Sequence, residues 1–255
     1  MLTQSTYFLN RAVVFATSVL VSVSSALSAT VTMNPTMDAL VTTGPSGNLA
    51  NNNYGGAGSI SVSAPGLEMG EQQAVLQFNL GGAVSAFDAQ FGAGQWSIES
   101  ISLRLTSGNA NNPIFNSPAA GAFGISWMQN DSWLEGIGTP AAPGATGITF
   151  SSLQSTFMSA NDQNLGSFTY NGSTSGSSTY TLGLSSGLLG DISSGDNVSL
   201  RLFAEDSTVS GVFSSRNFGT AGNRPVLTMV AVPEPAAIAM LGIGLTLALL
   251  WRKRR

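Results

Sequence analysis

Cysteine and histidine are both missing from the 255 residues, and charged residues make up only 9%. Without cysteine there is neither disulfide nor thiolate, so a body of this size must hold together by burying a core. Without histidine the chain lacks the commonest general base, the commonest zinc ligand and the ordinary near-neutral pH switch. Basic charge is nearly absent from the interior of the chain. Of nine basic residues, Arg252, Lys253, Arg254 and Arg255 crowd one end and Arg11 lies near the other; only Arg104, Arg201, Arg216 and Arg224 stand between. Twelve acids from Asp38 to Asp206 face those four arginines, a net of about −8 for the central region. There is no basic face for phosphates, which excludes nucleic acid as a partner.

Glycine is plentiful, at 30 residues, and Ser, Thr and Asn fill the spaces between apolar positions. Short runs alternate apolar and polar side chains with a period of two, as in Trp96 to Leu105, and are bounded by Gly, Pro, Asn and Ser. Similar runs cover Gln73 to Leu80, Thr179 to Leu184, Val198 to Ala204 and Pro225 to Val230. Many half-buried strands with turn-rich spacers predict an all-β fold, an antiparallel β-sandwich of jelly-roll-like form, over residues 30–231. Short helical turns are expected at Ser85 to Phe91 and Phe150 to Met158, and loops at Gly108 to Gly121 and Gly136 to Gly147. No repeat and no charged linker divides the body, so one domain is expected.

Both ends differ from this body. Residues 1–29 read as a signal peptide: Arg11, an apolar run from Ala12 to Val23, then small residues, with cleavage expected after Ser28 or Ala29. Residues 236–251 carry no charge and read as a transmembrane helix about 24 Å long, somewhat short of a ~30 Å hydrocarbon core. Trp251 suits the headgroup interface, and Arg252, Lys253, Arg254 and Arg255 after it fix the orientation, with the body outside and the tail inside. Just before this span stand Val232, Pro233, Glu234 and Pro235, whose prolines favour extended backbone.

This order of Pro-Glu-Pro, apolar span and terminal bases over residues 232–255 resembles the PEP-CTERM sorting signal of exported proteins in Gram-negative bacteria that make exopolysaccharide. The resemblance implies an exosortase-type membrane enzyme as a partner, which removes the tail near the Pro-Glu-Pro triplet. It also implies passage through the inner membrane on a transient or single-pass anchor, with delivery to the cell surface or biofilm matrix. The body is similar, in short pieces, to DNRLRE-type domains. Those pieces include Thr36 to Ala39, Asn51 to Gly55, Ala74 to Leu80, Asp131 to Gly136, Phe213 to Arg216 and Arg224 to Leu227. That likeness implies a β-sandwich scaffold like those of carbohydrate-binding modules and assigns no activity.

Chemistry has few bearers in such a chain. A hydrolase would have to pair carboxylates, as glycosidases do. Asp131 with Glu135, or Glu205 with Asp206, are the candidates, and the bland alternative is that all four are solvated turn residues. No catalytic residue is assigned, and the expectation is a protein that is not an enzyme. No cofactor is expected apart from calcium, for which Asp38, Asn51, Asn53, Asp131 and Asp206 are candidate oxygen donors; the asparagines equally suit turns. For binding exopolysaccharide, the rings nearest a polar loop are Trp127 and Trp133, and the alternative reading of each is a core tryptophan. The overall expectation is an exported structural or adhesive protein with a non-catalytic body. Its alternatives are a carbohydrate-binding module and a carboxylate-based glycan hydrolase.

Overall fold

The computed structural model describes residues 28–109 and 111–234. The signal peptide apart from Ser28 and Ala29, and also Pro235, the expected 236–251 span, Trp251 and the basic tail, lie outside the described residues. Among the described residues, no helix is long and apolar enough to cross a membrane.

The described chain is mostly antiparallel strand. In order these are β1 (Ala29–Met33), β2 (Met37–Thr42), β3 (Ser59–Ser63), β4 (Gln72–Asn79), β5 (Trp96–Thr106) and β6 (Gly121–Met128). There follow β7 (Gln163–Tyr170), β8 (Ser177–Leu182), β9 (Asn197–Ala204), β10 (Ser210–Ser214) and β11 (Val226–Pro233). Helix is limited to α1 (Gly81–Phe91), the single turn α2 (Phe150–Ser152) running into a π-turn at Leu153–Phe157, and α3 (Ser186–Ser194). The two helical turns expected from sequence are present. The third, α3, was not expected; Ser185 caps its start by accepting from the Leu188 amide, and Gly195 ends it at φ 71°.

Two sheets form. One has the strand order β1-β11-β5-β8; the other has the order β10-β3-β4-β9-β6-β7, with β2 also paired to β4. The chain gathers into two compact units. The smaller one combines Ala86–Glu99 with residues from both ends of the described chain. No local pattern reveals a unit assembled from segments so far apart.

In the larger unit, Val31–Ser85 with Ser100–Met229, register explains the core. Ala74, Leu76 and Phe78 of β4 stand opposite Leu202, Leu200 and Val198 of β9, and Ile125 and Trp127 of β6 stand opposite Leu202 and Leu200. This is one continuous apolar face, since alternate residues of a strand share a side. It meets the other sheet through rings: Phe123 of β6 lies edge-on to Tyr180 of β8 at 5.2 Å, and Phe168 of β7 lies 5.3 Å from the same ring. Sheet on sheet with interlocked aromatics is a β-sandwich, as the strand pattern predicts.

The opposite face of β4 is covered as well, which is why seven of its eight residues are buried. The chain after β6 lies over it. Trp133, Ile148 and Leu153 pack with Ala39, Val41, Val75 and Met128. Residues 129–158 thus form a strap across the outer face of the larger sheet.

In the smaller unit, Phe87 of α1 packs on Trp96 at 5.1 Å between ring centroids. Asp88 accepts hydrogen bonds from Trp96 Nε1 (2.7 Å) and the Gly94 amide (3.0 Å), and these hold its carboxyl below the usual carboxylate range. The turn between α1 and β5 is fixed in this way.

Candidate functional site

The most concentrated polar chemistry of the larger unit lies where the strap meets the turn after β10. Arg216 binds Glu135 through two nitrogens: Nε donates to Oε1 at 2.5 Å, and Nη2 pairs with Oε2. Glu135 Oε1 also accepts from the Asp38 amide at 3.1 Å and from Asn217 Nδ2 at 3.3 Å. The Arg216 amide donates to Asp38 Oδ2 at 2.6 Å. This fork-to-fork geometry is the strong form of a charge-assisted bond. Its partner raises the pKa of the Arg216 guanidinium, chiefly through the Glu135 hydrogen bond.

Asn53 completes the cluster. Its Nδ2 donates to the carbonyls of Glu135 (2.7 Å) and Ile148 (2.8 Å), while its Oδ1 accepts from the amides of Gly55 (3.2 Å) and Gly138 (3.1 Å). One fully buried amide thereby satisfies four backbone groups of two segments. Close approach demands glycine here: a Cβ on Gly55 would stand 1.8 Å from the Glu135 carbonyl oxygen, and one on Gly138 would stand 1.9 Å from that of Asn53.

Asp38 is fully buried, and its Oδ1 has no hydrogen-bond partner. Burial pushes its carboxyl up to about 7, with the nearby Glu135 charge adding to the rise. Asp131 lies apart, where its carbonyl accepts from Gln77 Nε2 at 2.7 Å; burial raises its carboxyl to about 6. Asp206 caps the turn before β10. The Ala122 amide, then those of Thr208 and Val209, hold its carboxyl down to about 2. Asn51 is exposed. Of the five candidate calcium donors, the structure therefore brings Asp38 and Asn53 to the Glu135–Arg216 cluster and leaves Asn51, Asp131 and Asp206 elsewhere. Among the described residues, no three acidic side chains gather as a metal site. Of the two carboxylate pairs, Glu135 has both oxygens on Arg216, and Asp206 bonds three amides while Glu205 is exposed.

Trp127 and Trp133 require a correction as sugar platforms. Trp133 is 1% exposed and Trp127 6%, so neither ring lies open to solvent, and only Trp127 borders a surface concavity. Their indole nitrogens point inward, Trp133 to Ser199 Oγ at 2.8 Å and Trp127 to Asp191 Oδ2 at 2.6 Å. Each apolar body is buried with its one donor satisfied, as a core tryptophan requires.

Polar surface is available beside them. One open concavity is lined by Gln129, Asn130, Asp131 and Ser159 together with Phe157 and Met158, and a second by Gln129, Asn161, Asp162, Gln163 and Ser186 together with Trp127. Gln129 belongs to both. Amide and hydroxyl groups share this surface with apolar side chains, and Asn161 Nδ2 and Ser159 Oγ both donate to Gln129 Oε1, at 3.1 and 2.9 Å.

The last described residues bear on the terminal segment. Strand β11 continues through Val232 and Pro233, and the Glu234 amide donates to the Gln95 carbonyl at 2.9 Å. The body therefore extends past residue 231, the boundary expected from sequence. Gln95 carried no signal in the sequence, because it takes part through its backbone. Arg216 carried only its rarity, as one of four arginines in the body.

A family model described as the PEP-CTERM protein-sorting motif matches residues 231–255. No curated protein matches the chain.

Proposed function

We propose, with the sorting motif at residues 231–255 as premise, that this is an exported surface or extracellular-matrix protein whose body does structural or adhesive work without catalysis. The motif is the single observation that carries the reading. An exosortase-type enzyme in the inner membrane is the partner that acts on Val232 to Pro235, and the apolar run with its basic tail holds the chain at the membrane until then. The body suits life outside the cell. It uses no thiols, it has few charges, and its strap is locked by a partly buried ion pair and an asparagine hub rather than by disulfides. Cell fractionation of a producing strain tests the reading. Release of the body from the membrane should require the processing enzyme, and equal release in its absence would refute the proposal.

A second reading is binding of exopolysaccharide. The amide-lined surface around Gln129, Asn161 and Gln163 favours it, since such groups exchange hydrogen bonds with sugar hydroxyls. Pull-down of the secreted protein by polysaccharide, compared with Gln129→Ala, separates the two readings. Binding that is absent, or unchanged by the substitution, eliminates this site.

A further inference from the structure

We infer that the segment removed with the sorting signal begins after Glu234, so that Pro233 and Glu234 remain on the body as the end of its last strand. The inference rests on the processing reading above and adds the position of the cut.

The motif and the fold overlap. The sorting motif matches from residue 231, yet β11 runs to Pro233 and lies between β1 and β5 in the order of the four-stranded sheet. Beyond the strand, the Glu234 amide is still held by the Gln95 carbonyl. Val232, Pro233 and Glu234 are half-buried, and Ala231 is fully buried.

An enzyme that cuts a peptide bond takes the backbone extended, and it needs an unpaired edge of that backbone to grip. β11 has a neighbour on each side in the sheet order, and the Glu234 contact with Gln95 keeps one side engaged past the end of the strand. Cutting within Val226 to Pro233 would first require pulling β11 from the sheet, exposing Leu227, Met229 and Ala231, each at most 1% exposed. A segment this deeply packed opens only rarely. The first peptide bond beyond the last observed sheet contact is therefore the one that follows Glu234. Hydrolysis there or further on places the oxygen of water on the carbonyl carbon and a proton on the departing amine. It leaves every observed β11 contact intact.

The experiment is mass spectrometry of the C-terminal fragment of the protein released by cells that make the full chain. A fragment ending at Glu234 or later, short of the basic tail, is expected. A fragment ending at Pro233 or earlier would overturn the inference while leaving the processing reading in place. A fragment that still carries Arg255 would overturn the processing reading and this inference with it. Hydrogen exchange on the released protein provides a second measurement. The Glu234 amide should exchange at least about tenfold more slowly than in an unstructured peptide, and exchange at the unstructured rate would remove the physical basis for the cut position.

Discussion

Arg216 holds Glu135 by two parallel contacts, and through that grip the turn after β10 fastens the strap that crosses the larger sheet. The Glu135 side chain is 11% exposed and that of Arg216 is 34%. Removing one partner of a fully buried pair costs about 3–5 kcal/mol because the other charge is left alone. With Arg216 a third exposed, water offsets part of that penalty, so Arg216→Met should cost about 2 kcal/mol. Urea unfolding of the released body measures this; a change within about 0.5 kcal/mol would mean the pair is no more than a surface contact.

Asn53 should be more sensitive than its size implies. Asn53→Ala leaves two carbonyls and two amides without their side-chain partner, and unsatisfied buried groups cost about 1–3 kcal/mol each when no water replaces the bond. A loss of about 3 kcal/mol or more is expected. Limited proteolysis should then cut first between residues 129 and 149, because the strap loses its hub; cutting elsewhere first would argue against that role.

Gly55 and Gly138 should not tolerate a methyl group. Each Cβ would meet backbone well inside contact distance, and overpacking of this kind costs about 1–3 kcal/mol or more. Gly55→Ala should therefore lower the thermal midpoint more than Gly58→Ala, whose Cβ would meet open space. Equal midpoints would show that the two segments can move apart freely.

Acid should stabilise the body over part of the pH range. The Asp38 carboxyl is raised from 3.8 to about 7 and that of Asp131 to about 6, so between these values the folded state holds protons that the unfolded chain has released. Their contribution is fully present below about pH 4 and is lost as the pH rises through 6 to 7. Asp206 acts in the opposite sense: held down to about 2, it contributes above about pH 4 and loses that contribution only as the pH falls through 2, and its exposure keeps the effect small. Urea midpoints should accordingly be higher at pH 5 than at pH 8, and Asp38→Asn should flatten most of that slope. A midpoint that rises from pH 5 to pH 8 would contradict the burial of Asp38.

The tryptophans should report a core. In the released body carrying Trp96→Phe, emission comes from Trp127 and Trp133 and should be blue-shifted, with acrylamide quenching several-fold weaker than for free tryptophan. Ready quenching would return Trp127 or Trp133 to the list of surface rings.

Much of the architecture was legible because β-structure writes itself as alternation. Trp96 to Leu105 and Val198 to Ala204 match β5 and β9 almost residue for residue. Burial on both faces was not legible. Gln73 and Gln77 of β4 read as the wet side of a strand but are buried; Gln77 Nε2 donates to the distant Asp131 carbonyl, whereas Gln73 Nε2 donates to Glu71 and its Oε1 has no partner. Helix α3 was hidden by its Ser-Gly-rich composition, for its start depends on the Ser185 cap rather than on an apolar stripe. The candidate ligands fared less well. Asp38 and Asn53 stand out in the sequence only as candidate calcium donors and Glu135 only as one of a carboxylate pair, because the cluster they form depends on contacts reaching 178 residues along the chain, from Asp38 to Arg216. The terminal motif was readable because its three parts follow one another directly; its overlap with β11 was not, since Gln95 joins it only in space.

The pairing of β1 with β11 also has a consequence in time. Asn34 and Pro225 are 191 residues apart, and the side-chain Nδ2 of the first donates to the backbone carbonyl of the second at 2.8 Å. Contacts this distant in sequence form late and slowly. A chain crossing a membrane from its N-terminus delivers β1 first and must leave it without its neighbour until β11 arrives. The four-stranded sheet can close only when the sorting segment is already next in line, so completion of the fold and presentation of the signal fall in the same interval of export.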